Sequence, residues 1–210
     1  MPVSAKICGL STPETLDGAI AGGASHVGFV FFPPSPRNLS FDAAAGLAAR
    51  TPEHVQRVGV FVDPDDALIE RAVAAGRLDA LQLHRTTAAR RAAIGARTGK
   101  QIWAVIEVKR ATDLAFGGHI QAADKILYDA KTPEAALPGG MGMRFDWNLL
   151  DGFRHPLPWV LSGGLTADNV AEAATRTGAT LVDVSSGVES SPGVKDVDKI
   201  ATFLQAVARL

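Results

Sequence analysis

The chain has 210 residues, 47% hydrophobic and 20% charged, with 21 Gly and 12 Pro, which provides material for one large core and excludes disorder and collagen-like repeats. Lys and Arg number 21 against 22 Asp and Glu, a formal charge of −1, so there is no electrostatic footprint for nucleic acid or an anionic membrane, and any anion must be held by local groups. The one cysteine, Cys8, excludes an intrachain disulfide and a multi-cysteine metal site and fits a reducing cytoplasm, while no stretch has the apolar length of a signal-peptide core or a membrane span.

Along the chain, short apolar runs rich in β-branched residues and closed by a small or polar residue alternate with alanine-rich segments of helical spacing. Eight runs occur, at residues 5–8, 26–32, 57–62, 80–84, 101–108, 125–129, 158–162 and 181–185, with starts 21 to 33 residues apart. That is the length of a β-α unit. Val27-Gly28-Phe29-Val30-Phe31-Phe32 is apolar on both faces, as a parallel strand covered by helices is. Ser40 stands as the cap of a helix over 41–50. In 65–76, Ile69, Ala72 and Val73 form an i, i+3, i+4 stripe, and Gly76 occupies the place of a C-cap glycine. The helical pattern is poorest over 112–123, which Gly117-Gly118 interrupts, and over the short segment 145–153. Residues 166–169 predict an N-cap and acidic first turn ahead of Val170, Ala173 and Ala174. Val197, Ile200, Leu204 and Val207 make the buried stripe of the last helix.

Eight β-α units without a Ser/Gly-rich linker or charge block predict a single domain over 1–210, either a closed (β/α)8 TIM barrel or a doubly wound sheet. The barrel is favoured. The first β-α turn, Cys8-Gly9-Leu10-Ser11, has one glycine and no dinucleotide fingerprint, whereas glycine-rich strand ends cluster at the seventh and eighth runs, where barrels place a phosphate site.

Barrel active sites lie at the carboxyl ends of the strands, so chemistry falls to the residues that close each run. These are Lys6 and Cys8, Arg37 in the loop 32–38, Asp63, His84, Glu107, Asp129 with Lys131, Ser162-Gly163-Gly164, and Asp183 with Ser185-Ser186-Gly187. The two glycine-rich turns together present backbone N–H groups and hydroxyls to an anion, and a phosphorylated small-molecule substrate follows. Cys8 is either a small buried hydrophobe or a catalytic thiol whose pKa Lys6, alternating onto the same side, is placed to depress. Asp129 closes the apolar Leu127-Tyr128; it is an acid of raised pKa, or else a salt-bridge partner of Lys131 or a helix cap. Arg37, stiffened by Pro33, Pro34 and Pro36, suits bidentate binding of a carboxylate, the bland reading being a surface arginine. His84 is an acid, a ligand or a hydrogen-bonded structural group. No HExxH, CxxC or carboxylate triad points to a metal, and Gly139-Gly140-Met141-Gly142 lacks the Lys-Ser/Thr of a nucleotide loop.

Lys6-Ile7-Cys8-Gly9-Leu10, Gly28-Phe29-Val30-Phe31 with Ser35-Pro36-Arg37, Val58-Gly59-Val60-Phe61-Val62, Leu81-Gln82-Leu83-His84, Asp129, Phe145-Asp146-Trp147, Leu161-Ser162-Gly163-Gly164-Leu165, Asp183-Val184-Ser185-Ser186-Gly187-Val188-Glu189 and Pro192-Gly193-Val194-Lys195-Asp196 form an ordered set covering nearly the whole chain. The set resembles the phosphoribosylanthranilate isomerases of tryptophan biosynthesis. The resemblance implies a (β/α)8 barrel that performs a cofactor-free Amadori rearrangement of N-(5′-phosphoribosyl)anthranilate in the cytoplasm, as a monomer or homodimer. It implies that Cys8 is the base that removes the C2′ proton and Asp129 the acid that opens the ribose ring. Arg37 would hold the anthranilate carboxylate and Gly164, Ser185, Ser186 and Gly187 the phosphate, with Lys6, His84, Gly163 and Asp183 as further substrate-binding residues. Such chemistry asks for two pKa values pushed towards neutrality, down for Cys8 and up for Asp129. Two positions depart from the family pattern: Arg85 stands where a glycine is usual, and Met141 where a threonine or serine is usual. The rivals are a histidine-pathway or bifunctional phosphoribosyl isomerase, whose base is an aspartate, and a non-catalytic sugar-phosphate-binding barrel.

Overall fold

The computed structural model describes residues 2–117, 120–131 and 142–210; Met141 and most of the glycine turn before Phe145 lie outside them. Strands β1 (Ser4–Cys8), β2 (His26–Val30), β3 (Gln56–Val62), β4 (Ala80–His84), β5 (Gln101–Val108), β6 (Lys125–Ala130), β7 (Trp159–Leu161) and β8 (Leu181–Val184) pair in sequence order, all parallel, and β8 returns to β1 to close the barrel. The expected barrel is the observed one. Helices α1 (Pro13–Ala21), α2 (Phe41–Arg50), α3 (Asp66–Gly76), α4 (Ala88–Thr98), α5 (Ala111–Gly117), α6 (Val170–Thr177) and α7 (Val197–Val207) surround it. A two-stranded hairpin, β9 (Glu189–Ser191) with β10 (Val194–Lys195), precedes α7.

Period-two alternation separates two apolar regions. Outward residues such as Ile7, Phe29, Phe61 and Tyr128 pack under the helices, while Val58, Ala80, Trp103, Leu127, Val160 and Leu181 form a separate plug inside the barrel. Above this plug the inward positions turn polar.

Several local expectations need correction. Between β6 and β7 the segment 145–153 forms one 3-10 turn, Trp147–Leu150, rather than an α-helix. Helix α6 starts at Val170: Asn169 makes no side-chain cap bond to α6, accepting instead from Thr166 N–H at 2.8 Å and donating to Gly164 O at 2.9 Å. Gly76 is the last residue of α3, and Arg77 takes the left-handed C-cap position at φ 44°. Gly76 is there for space, since a Cβ would stand 2.7 Å from Leu78, which also roofs Gly59. Ser40 does cap α2, accepting from Ala43 N–H. Arg85 adopts φ 54°, so the turn after β4 keeps the left-handed backbone that glycine adopts at no cost, here imposed on an L-residue at roughly 1–2 kcal/mol.

Candidate active site

The carboxyl ends of the strands surround a cleft lined by Cys8, Arg37, Gln82, His84, Asp129, Ser162, Asp183 and Ser185 among others. The strand-end residues singled out from the sequence therefore converge, with exceptions. Lys6 has no exposed side-chain surface, Asp63, Glu107, Lys131, Gly163 and Gly164 do not line the cleft, and Ser186 and Gly187 follow Ser185 in a 3-10 turn, Ser186–Val188.

Lys6 Nζ donates to Asp183 Oδ1 at 2.7 Å, and Ser162 Oγ to Asp183 Oδ2 at 3.1 Å, both buried. Gly28 makes room for this chemistry: a Cβ there would lie 3.0 Å from Cys8 Sγ and 3.1 Å from Lys6 Nζ. Burial opposes the charge on Lys6, but the Asp183 carboxylate, helped by Cys8, more than offsets it and holds the ammonium above its ordinary pKa. The Cys8 thiol moves against expectation. Burial pushes it up and Asp183 adds to the rise, while Lys6 and Lys195 pull it down without prevailing. At 7% exposure the thiolate loses more hydration than its cationic neighbours return.

Asp129 behaves as the sequence predicts. Burial, then the Asp183 charge, drive its carboxyl up to about 7, opposed by the Ala130 N–H that donates to Oδ1 at 2.8 Å. Among the described residues it has no salt bridge to Lys131. Gly163, at φ 92°, leaves it space, since a Cβ would lie 3.1 Å from Asp129 Oδ1 and 2.7 Å from Ala130 N. His84 is buried and held at about 4 by burial, then by Lys6 and Arg85, which makes it a neutral imidazole at pH 7. Its Nε2 lies 3.0 Å from Gln82 Nε2, while His84 Nδ1 and Gln82 Oε1 are buried and have no hydrogen-bond partner among the described residues.

Arg37 grips a carboxylate in two-point fashion, and that carboxylate is Glu189: Nε and Nη2 donate to its two oxygens at 2.7 Å each. Lys195 donates to Glu189 Oε1 at 2.5 Å and to Ser185 O at 3.0 Å. Neither Glu189 nor Lys195 was singled out from the sequence, nor was Gln82; alternation with His84 along β4 was the available signal for the last. The two glycine-rich turns do meet, for a Cβ on Gly187 would lie 1.9 Å from Leu165 O; Gly164 instead approaches the loop before Phe145, where a Cβ would lie 2.8 Å from Met143 O.

A barrel mouth with a buried thiol and, on the facing wall, a carboxyl that titrates near neutrality defines an enzyme of general acid–base chemistry. A family model described as N-(5′-phosphoribosyl)anthranilate isomerase matches residues 5–206. The chain belongs to that family. It is 55% identical over 213 aligned positions, covering 100% of both chains, to N-(5′-phosphoribosyl)anthranilate isomerase of Zymomonas mobilis subsp. mobilis, and 51% identical to that of Paramagnetospirillum magneticum over 98% of this chain and 97% of the relative. Among solved structures, the Thermotoga maritima phosphoribosyl anthranilate isomerase superposes with a TM-score of 0.86 at 35% identity, covering 99% of this chain and 100% of the other. A phosphoribosyl anthranilate isomerase in complex with reduced 1-(o-carboxyphenylamino)-1-deoxyribulose 5-phosphate superposes with a TM-score of 0.84 at 33% identity over 99% and 100% of the two chains.

Proposed function

We propose that Cys8 and Asp129 are the base and acid with which this family member isomerises N-(5′-phosphoribosyl)anthranilate to the carboxyphenylamino-deoxyribulose phosphate, an aldose–ketose step of tryptophan biosynthesis. The observation that carries the assignment is the pair itself, one thiol and one carboxyl of pKa about 7 on the wall of a single cleft. Asp129, protonated, gives its proton to the ribose ring oxygen; the C1′–O bond breaks and a protonated Schiff base forms. The iminium acidifies C2′–H; the minor thiolate form of Cys8, which burial disfavours and Lys6 and Lys195 favour, takes that proton, and the electron pair moves to form the enolamine, which tautomerises to the ketose.

Arg37 receives the anthranilate carboxylate, and Gly164, Ser185, Ser186 and Gly187 receive the phosphate through backbone and hydroxyl donors. Asp183 and neutral His84 meet the ribose, Gly163 keeps the space beside Asp129, and Lys6 acts through Asp183 and Cys8. Closure of all eight strands into one barrel supports a single domain over 1–210. Among the described residues no helix is long and apolar enough to cross a membrane, which with a single cysteine supports a cytoplasmic place. The Thermotoga maritima relative is dimeric; a monomer or homodimer is expected here, which sedimentation resolves. The test of the activity is the decay of anthranilate-type fluorescence when the purified chain meets freshly generated phosphoribosylanthranilate. Rapid decay in wild type, lost in Cys8→Ala and Asp129→Asn, supports the assignment; undiminished decay in either variant removes that residue from its role.

A further inference from the structure

We propose that Lys195 is a positioning residue for this reaction, a hub that fixes the thiol-bearing end of β1 on one side and the Arg37 guanidinium on the other. The inference rests on the isomerase reading for the identity of the reacting groups. Lys195 ends β10, and its side chain has no exposed surface. Its ammonium donates to Ser185 O at 3.0 Å, Ser185 Oγ at 3.2 Å and Glu189 Oε1 at 2.5 Å. An ammonium has three donors, so none is left for a substrate and Lys195 acts through its partners.

Through Ser185 it reaches the base, because Ser185 Oγ donates to the Cys8 backbone carbonyl at 3.2 Å. Through Glu189 it reaches Arg37, whose Nε and Nη2 both lie 2.7 Å from that carboxylate. Two close approaches tie the same parts together. A Cβ on Gly9 would stand 2.7 Å from Arg37 Cδ, and one on Gly193, in the β9–β10 turn, 2.8 Å from Pro36 O. The hairpin thus supports the arginine loop, and the arginine lies across the residue that follows Cys8.

The charge acts as well. Cys8 is faced by Lys6 from β1, Arg37 from the loop after β2, Asp183 from β8 and Lys195 from β10, with His84 of β4 and Asp129 of β6 lining the same cleft and Glu189 of β9 bound to both Arg37 and Lys195. The Lys195 charge favours the Cys8 thiolate.

Because Cys8 is the only cysteine, alkylation of the full chain by iodoacetamide reports this thiol alone. In Lys195→Met the alkylation midpoint moves up in pH; half a unit lowers the rate below the midpoint by about threefold. With phosphoribosylanthranilate, kcat falls and KM rises together. Ser185→Ala keeps the charge and removes the Oγ link to the Cys8 carbonyl, so its alkylation midpoint stays while kcat falls by a larger factor than KM rises, whereas loss of a phosphate contact alone raises KM; this variant carries the test if Lys195→Met does not fold by circular dichroism. A folded Lys195→Met with unchanged alkylation profile, kcat and KM overturns the proposal, as does unchanged kcat in Ser185→Ala. Should wild type fail to turn over phosphoribosylanthranilate, the isomerase reading fails, and the alkylation comparison still decides whether Lys195 acts on Cys8.

Discussion

Ion pairs at the barrel mouth and on the helical shell use the same residue types to different ends. Lys6 and Asp183 have side-chain exposures of 0% and 5%, and Lys195 and Glu189 of 0% and 4%, whereas Arg97 on α4, bonded to Asp66 and Glu70 of α3, is 51% exposed and its partners 41% and 55%. The shell pairs gain little over hydration and are screened by salt. The mouth pairs forgo hydration on both partners, and similar-sized apolar residues would fill those places as stably. On the proposed reading their charges stand where a thiol and a carboxyl exchange protons, which teaches that ion pairs at the mouth serve the reaction, while those of the shell contribute little to stability or chemistry.

The largest effect that sharpens this contrast is catalytic. Cys8→Ala and Asp129→Asn should each lower kcat by about 10²- to 10⁴-fold, the usual weight of a general acid or base, as followed by fluorescence decay. Next, Asp183→Asn leaves the buried Lys6 ammonium without its carboxylate. It should cost about 3–5 kcal/mol, a melting-temperature drop on the order of ten degrees in a scan, and a variant melting like wild type would break the comparison.

A smaller effect depends on pH. The folded chain keeps the Asp129 proton up to about pH 7, the unfolded chain only to about pH 4, so folding takes up a proton between those limits. The associated stability is full below about pH 4 and is lost as the pH rises through 7. Asp129→Asn has no group to titrate there, so its melting temperature should rise relative to wild type from acid to mildly alkaline buffer and then level off. Least of all, Arg97→Ala should leave melting temperature and kcat unchanged within error, because its carboxylate partners remain hydrated.

Fold and site were unequally legible in the sequence. All eight strands were readable because continuous apolar runs at β-α spacing leave few alternatives, and the strand-end rule then brought Cys8, Arg37, Asp129, Asp183 and Ser185 to one mouth. Two things were not readable. The direction of the Cys8 shift depends on burial against the sum of Lys6, Asp183 and Lys195, which only three-dimensional placement supplies. The partner of Arg37, Glu189, is 152 positions away in sequence; no local pattern links them, although the resemblance had marked both segments. Gly76 misled for another reason, since a glycine at a helix end serves close approach as readily as left-handed backbone.

The apolar plug of Val58, Ala80, Trp103, Leu127, Val160 and Leu181 has a kinetic meaning. It stoppers the barrel beneath the polar layer, so at the plug end the cleft is closed. Product and substrate therefore share the well above the plug. Accumulated product should therefore compete directly with substrate, raising apparent KM while leaving the saturated rate intact.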